Sequence, residues 1–492
     1  MISLLFSLHR TFKNPLAAAA LLVLLLGTLT ARAADAPQRP PNFILILADD
    51  LGYGDIGPFG SRTNRTPNLD RMAAEGMKLT SFYAAPVCTP SRAQIITGCY
   101  AKRVSLPNVL FPKSPDGLGS REQTIAQLLK TQGYATMAIG KWHLGDHPDF
   151  LPTRHGFDHY FGLPYSNDMG PNEAAAAART NSSPRTNATP PLPLLRDDQV
   201  IETIKSRGQD FLTERYTEEA VKFIRQNQQK PFFLYLPHTA VHTPIHPGDR
   251  FRGRSGTPFN DWVEELDASA GKVLDTVREL GLSERTLVIF TSDNGPWLPQ
   301  GTNAGVAGPL RGGKGSTWEG GMREPTIAWW PGKITAGTTS DAVAANFDFL
   351  PTFVTLAGGR LPMDRILDGR DLSPILLGRS QASPHDAFYY FNGNRLQAVR
   401  SGAWKLSVVP RAGEVPDTTL PFQPHLYNLD REIGERTDVA PQNPEVVQRL
   451  QALIANMDHD LGATTNLGPG VRPAGRVTHP VGLWLPGETP AN

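Results

Sequence analysis

Asn42-Phe43-Ile44-Leu45-Ile46-Leu47-Ala48 is an unbroken apolar run that ends in Asp49-Asp50. Its length is that of a strand, and an apolar run without alternation fits a strand buried on both faces of a parallel sheet. Three later runs share the design. Tyr134 to Ile139 empties into Lys141-Trp142-His143, Phe232-Phe233-Leu234-Tyr235-Leu236 precedes His238 and His242, and Thr286-Leu287-Val288-Ile289-Phe290-Thr291 runs into Asp293-Asn294. Helical patterns alternate with these strands: Thr66-Pro67 opens one through Glu75, Thr124 to Gln132 stops at Gly133, another covers Thr213 to Gln228, and Asp261 to Leu280 stops at Gly281. The alternation predicts an α/β fold, a large domain with a central, mostly parallel sheet flanked by helices. Ligands of such sheets gather beyond the carboxyl ends of the strands, so the four polar tails are expected to share one end.

Beyond about Ser383 the texture changes. Phe388-Tyr389-Tyr390-Phe391, Leu396 to Arg400 and Trp404 to Val409 read as short antiparallel strands, and His425-Leu426-Tyr427-Asn428-Leu429-Asp430 and a helix from Pro444 to Met457 follow. This predicts a smaller C-terminal α+β domain over residues 384–492, after a main domain over 34–383, with an extended Gly/Pro-rich tail after Gly462. Residues 1–33 read as an export signal: His9, Arg10 and Lys13 start it, Leu16 to Thr28 is apolar, and Ala31-Arg32-Ala33 is a small-x-small cleavage site. A periplasmic or secreted protein with no stable membrane span after cleavage is expected, with retention as an anchor the alternative. Ser166 to Arg196, rich in Gly, Pro, Ala and Asn, reads as a long surface loop, a lid or equally a disordered insertion, with sequons at Asn181 and Asn187 that are glycosylation acceptors only in a eukaryotic host.

The 48 basic and 47 acidic residues nearly cancel, which argues against a nucleic-acid partner or a polybasic membrane binder; attraction for anions must be local. There are two cysteines, Cys88 and Cys99, and a helix between them would hold their Cα atoms about 16 Å apart, too far for a disulfide. Asp49, Asp50, Asp293 and Asn294 are hard oxygen ligands on two strand ends, a set that suits calcium first and magnesium second. Val87-Cys88-Thr89-Pro90-Ser91-Arg92-Ala93 carries a helix-start signal in Thr89-Pro90, which places Cys88 at a helix mouth with Arg92 one turn on. Backbone N–H groups and the positive dipole end would then face whatever binds beside the sulfur.

Cys88-x-Pro90-Ser91-Arg92 resembles the motif of the formylglycine-dependent sulfatases, arylsulfatase-like enzymes of the alkaline phosphatase superfamily. The resemblance implies that a maturation enzyme oxidises Cys88 to an aldehyde whose hydrate has two hydroxyls, one to attack sulfur and one to expel sulfate. It extends to Asp49-Asp50-Leu51-Gly52-Tyr53-Gly54-Asp55 and Ser292-Asp293-Asn294-Gly295 as metal segments, with Cys88 completing the set, and to Gly140-Lys141-Trp142-His143-Leu144-Gly145 and Arg311-Gly312-Gly313-Lys314-Gly315-Ser316-Thr317-Trp318-Glu319-Gly320-Gly321. It implies that Lys141 and Lys314 grip sulfate, with Lys314 also helping the leaving oxygen, that Arg92 adds a positive charge that stabilises the transition state, that His143 positions or deprotonates the diol, and that a protonated His242, before x-Pro, donates to the leaving oxygen while His238 supports the loop. Ser166 in Gly162-Leu163-Pro164-Tyr165-Ser166 is similar to a substrate-side serine. Cys99, where many relatives carry arginine, and Arg436-Thr437-Asp438-Val439-Ala440 depart from the pattern. The implied function is hydrolysis of the sulfate esters of sugars or aryl alcohols. A phosphodiester or phosphonate monoester hydrolase on the same scaffold and a non-catalytic sulfated-glycan binding protein are the alternatives.

Overall fold

The computed structural model describes residues 39–170, 192–414 and 422–487. The expected signal segment, the two sequons and most of the 166–196 loop lie outside the described residues. Ten strands form the main sheet: β1 (Asn42–Ala48), β2 (Met77–Leu79), β3 (Ala135–Ile139), β4 (His159–Gly162), β5 (Pro193–Arg196), β6 (Gln199–Thr203), β7 (Phe232–Pro237), β8 (Thr286–Ser292), β9 (Thr326–Trp329) and β10 (Thr338–Ser340). Their spatial order is β10-β2-β9-β8-β1-β7-β3-β4-β5-β6. The four predicted strands are contiguous and parallel: β1 pairs with β8 on one side and β7 on the other, and β7 pairs with β3.

Strand β1 is buried along its whole length and feeds two cores. Phe43, Leu45 and Leu47 pack with Ala93, Ile95 and Ile96 of helix Cys88–Thr97 and with Leu129, Phe349 and Phe353. Ile44, Ile46 and Ala48 point the other way, toward Leu69 and Met72 of helix Pro67–Glu75, Tyr216 and Phe223 of helix Leu212–Gln226, and Leu266 and Leu274 of helix Pro258–Glu279. Period-two alternation thus splits one apolar run between two helical layers, which is why the sequence shows no polar face.

The sheet is more mixed than expected. Strands β9, β5 and β6 run antiparallel to their neighbours, and β2 runs antiparallel to β9. Residues 192–196 are not part of a surface lid: Leu192, Leu194 and Leu195 are buried, and Pro193–Arg196 pairs with β6 in a hairpin. Ser166 and Asn167 are buried as well, in a turn against the strand ends.

The C-terminal sheet has four antiparallel strands, β11 (Phe388–Asn392), β12 (Arg395–Ser401), β13 (Trp404–Ser407) and β14 (His425–Asn428), with helix Pro444–Leu461 against it. Cys88 and Cys99 are both free thiols. Among the described residues no helix is long and apolar enough to cross a membrane.

Glu265 in helix Pro258–Glu279 is buried, and its Oε2 accepts from Gly248 N at 2.7 Å. Burial raises its pKa from 4.5 to about 7. The folded chain therefore holds this proton more tightly than the unfolded chain, and stability falls as pH rises through that window. Glu265→Gln keeps an acceptor for Gly248 without titrating. The variant is expected to gain on the wild type by about 2 kcal/mol between about pH 5 and about pH 8, measured by denaturant unfolding.

Candidate active site

The four strand tails meet at one point. After β1, Asp49 N donates to Ala240 O at 2.9 Å, and Asp50 takes a left-handed conformation (φ 61) that an aspartate tolerates better than most residues. After β8, Asp293 N donates to Ala48 O at 3.1 Å, and its Oδ1 accepts from Asp50 N at 3.3 Å. Asn294 Nδ2 donates to Asp50 Oδ1 at 2.7 Å, while Asn294 Oδ1 is buried with no hydrogen-bond partner among the described residues. After β3, the chain passes Gly140 (φ 121), where a Cβ would lie 1.8 Å from Pro237 O, so only glycine lets the Lys141 tail lie against β7.

Lys141 Nζ lies 2.6 Å from Asp49 Oδ2 and 3.1 Å from Ser166 Oγ. Lys314 Nζ, brought in by the glycine loop, lies 2.7 Å from Asp50 Oδ1. One ligand atom each from Asp49, Asp50, Cys88 and His242 lies within 4.8 Å of the others, all buried.

The helix carrying Cys88 begins two residues earlier than the Thr89-Pro90 signal predicts. Cys88 is its first residue, and Val87 precedes it without a side-chain cap. The Thr89 hydroxyl instead donates to His143 O at 3.0 Å and accepts from Leu110 N at 3.1 Å, tying the helix to the β3 tail. Ser91 Oγ accepts from Ala85 N at 2.8 Å and donates to the Asp293 carbonyl. The far end of the helix closes on Gly98 (φ 68), whose N–H returns to Gln94 O.

Arg92 is placed differently from a charge facing a ligand. Its guanidinium is fully buried, donating to Asp293 Oδ2 (2.9 and 3.1 Å), Asp49 Oδ2 (3.2 Å) and the Lys141 carbonyl. A buried cation must be paired, and here the pairing aligns two carboxylates.

Electrostatics follow from this packing. Burial pushes Asp49 up, yet Lys141, His242, Arg92 and Lys314 together hold it well below the usual carboxylate range. Burial and the neighbouring Asp49 raise Asp293 to about 6. Asp50 is also raised by burial, against the pull of Lys314. Burial, and then Asp49, push the Cys88 thiol well above its ordinary value, so the sulfur is protonated; its Sγ lies 3.5 Å from Asp49 Oδ1.

His143 Nε2 lies 2.9 Å from Leu110 O, and since a carbonyl only accepts, Nε2 carries the proton. Its Nδ1 is left as a buried lone pair without a partner among the described residues. Burial, with Lys141 and Arg92, keeps this ring neutral. His242 Nδ1 meets Thr243 O at 2.5 Å and its Nε2 faces Asp50 Oδ2 at 3.6 Å. Burial, then Lys314, lowers its pKa to about 3, so this ring too is neutral. His238 lies apart, with Nε2 3.3 Å from Ser269 Oγ.

Trp297 was not legible as a site residue. Its half-buried ring lies beneath Lys314 Nζ (4.7 Å to the centroid) and 5.7 Å from the His242 ring. Only its position three residues after Asn294 hinted at this.

The comparisons agree with the geometry. The family profile described as Sulfatase matches residues 41–359, and that described as the C-terminal region of aryl-sulfatase matches 383–473. Arylsulfatase A of Bos taurus is 40% identical, the match covering 90% of this chain and 92% of that protein. N-acetylgalactosamine-6-sulfatase of Mus musculus is 42% identical over 79% of this chain and 75% of that protein. The crystal structure of the PsFucS1 sulfatase from Pseudoalteromonas sp. superposes with a TM-score of 0.79 at 31% identity, covering 93% of this chain and 97% of that one.

Proposed function

This chain belongs to the sulfatase family and hydrolyses sulfate esters, and from that premise we propose that its working site is a formylglycine made from Cys88 beside a bound divalent cation, calcium before magnesium. The observation that carries the proposal is the state of Cys88. A buried thiol held protonated by burial and by Asp49 is a poor nucleophile, and it is the sulfur in a cluster whose other ligand atoms are two carboxylate oxygens and an imidazole nitrogen. Exchanging that sulfur for oxygen removes both mismatches. When formed, the hydrated aldehyde supplies an oxygen nucleophile and a second hydroxyl through which sulfate can depart.

The acidic cluster fits a hard cation. Asp49, Asp50, Asp293 and Asn294 would hold it, and the unpartnered Asn294 Oδ1 is an acceptor that a cation would satisfy. Three carboxylates face three fixed cations, Arg92, Lys141 and Lys314, so the ion's charge leaves the site net positive for an anionic ester. The cation, when bound, supplies charge stabilisation to the transferring sulfuryl oxygens.

The chain's own groups divide the remaining tasks. Lys141, oriented by Ser166, and Lys314 bind sulfate oxygens, and Arg92 keeps Asp49 and Asp293 aligned. His143 Nδ1 accepts the proton of the attacking hydroxyl. An anionic ester beside His242 favours its protonated form, whose Nε2–H donates to the bridging oxygen as charge gathers there. Removing one such group, for instance Lys314→Ala, is expected to lower kcat/KM by about 10²–10³.

Trp297, half-buried beside His242, gives the alcohol side a ring-sized apolar surface. This supports sulfated saccharides or aryl sulfates as substrates, in line with the N-acetylgalactosamine-6-sulfatase relative. A maturation enzyme acting on Cys88, a periplasmic or secreted location, and a division into a catalytic region to residue 383 and a C-terminal subdomain belong to the same reading. The test compares N-acetylgalactosamine 6-sulfate and 4-nitrophenyl sulfate with the phosphate esters of the same alcohols. Preferential sulfate release is expected, and preferential phosphate release would contradict it.

A further inference from the structure

The loop that delivers Lys314 is glycine-rich, Arg311-Gly312-Gly313-Lys314-Gly315, with Gly312 and Gly315 at positive φ. Its glycines bring no side chains to pack, so apart from Arg311 over Trp318 and Lys314 over Trp297 its position is set by what grips its backbone and the residues that follow. On the active-site side, Lys314 N donates to Pro296 O at 2.9 Å and Gly315 N to Pro86 O at 2.7 Å, two residues from Asn294 and Cys88 respectively. On the other side the grip comes from the C-terminal four-stranded sheet. Asn392 Nδ2 of β11 donates to Gly315 O at 2.9 Å, and Thr317 Oγ1 donates to Gln397 of β12 at 2.7 Å.

At the centre is Lys405 of β13, fully buried. Its ammonium reaches Thr317 O at 2.8 Å, Glu319 Oε1 at 2.9 Å and Glu435 Oε1 at 2.9 Å, one acceptor for each of its three protons. Glu319, five residues after Lys314, also accepts from Tyr83 at 2.6 Å and Tyr390 at 2.8 Å, and its N–H donates to Glu435 Oε2 at 2.7 Å. Glu319 also pairs with Arg323 at 3.3 Å and Glu435 with Arg411 at 2.7 Å, so each buried carboxylate has a cation of its own, and Lys405 is the one that joins the two to the stem of the lysine loop.

We propose that Lys405 is a positioning residue for sulfate binding: by bridging Glu319 and Glu435 and holding Thr317, it fixes the stem from which Lys314 reaches the substrate. The C-terminal sheet is thereby part of the active-site assembly, although none of its residues contacts the strand-end cluster described above. The inference rests on the sulfatase reading of that cluster. Without Lys405 the Thr317 carbonyl loses its donor and the two carboxylates lose the cation that joins them, the stem relaxes, and a displacement of Lys314 of the order of 1 Å costs on the order of 10²-fold in kcat/KM.

The test uses the full-length matured enzyme with 4-nitrophenyl sulfate as substrate and inorganic sulfate as inhibitor, each value expressed per folded molecule. Lys405→Met is expected to raise KM and the sulfate inhibition constant together, by on the order of 10-fold or more, with Lys405→Arg restoring part of the loss. Asn392→Ala removes a single hydrogen bond at a half-buried position and is expected to shift the same constants by less. Lys102→Met is the structural control, because Lys102 binds the carbonyls of Asn394, Gly462 and Thr464 and ties the same two regions together away from the lysine loop. It is expected to lower the melting temperature while leaving KM and sulfate inhibition as in the wild type. If Lys405→Met and Asn392→Ala lower stability but bind substrate and inorganic sulfate like the wild type, or if Lys102→Met shifts both constants as they do, the proposal is overturned. Turnover by the wild type reports separately on the sulfatase reading itself.

Discussion

Cys88→Ala is expected to reduce sulfate release to the uncatalysed background while the protein remains folded. The two halves of this expectation have separate physical grounds. Chemically, the surrounding cradle of Lys141, Lys314, His143 and His242 can bind and polarise an ester but contains no other group placed to attack sulfur. Structurally, the thiol is one small buried group whose polar contact is Asp49 Oδ1 at 3.5 Å, and losing it costs about 1 kcal/mol. Cys88→Ser sharpens the test: it has an oxygen nucleophile but no second hydroxyl, so it is expected to give no more than a single turnover. Sustained hydrolysis by either variant, with an unchanged melting temperature, would contradict the assignment of the nucleophile.

The second large effect is expected from chelation. Asp49, Asp50 and Asp293 converge in a fully buried space, with Asp293 pushed up to about 6 and Asp50 raised, both by burial first. A cation bound there relieves this crowding and adds stability to the folded state alone, so its removal lowers activity and melting temperature together. Activity is expected to fall by at least about 10³ on exhaustive chelation, and calcium is expected to restore more of it than magnesium. Asn294→Ala deletes both the unpartnered acceptor and the donor to Asp50, and the melting temperature of this variant is expected to respond less to added calcium. A chelated enzyme that keeps its rate and its melting temperature would remove the cation from the account.

Much of this was legible because the chain writes its site at strand ends. The runs at 42–48, 134–139, 232–236 and 286–291 are long, apolar and followed at once by charged or amide residues, and a buried parallel strand admits few other readings. The antiparallel margins were not visible. Met77–Leu79 is three residues long and pairs with a strand far later in the sequence, and Pro193–Arg196, four residues long, pairs in a hairpin with Gln199–Thr203 at the end of a stretch that reads as loop. Thr89 shows a local signal overridden: Thr-Pro is a sound helix start, but a carbonyl from His143 and an N–H from Leu110 claim the hydroxyl. Arg92 was identified as a site residue, yet whether a guanidinium faces substrate or two carboxylates cannot be read from spacing. Glu319 lies in the glycine-rich segment that resembles the family's, but nothing in the sequence ties it to Lys405 and Glu435, because the three come from separate segments that only the folded chain brings together.

The central claim is that position 88 works as an aldehyde hydrate and not as a thiol. Peptide mass spectrometry of enzyme purified from its native host, run alongside a sulfate-release assay on the same sample, tests it most directly. The account predicts that the peptide containing residue 88 carries formylglycine and that specific activity rises in proportion to the modified fraction. Full activity in material whose peptide carries only unmodified cysteine would contradict it.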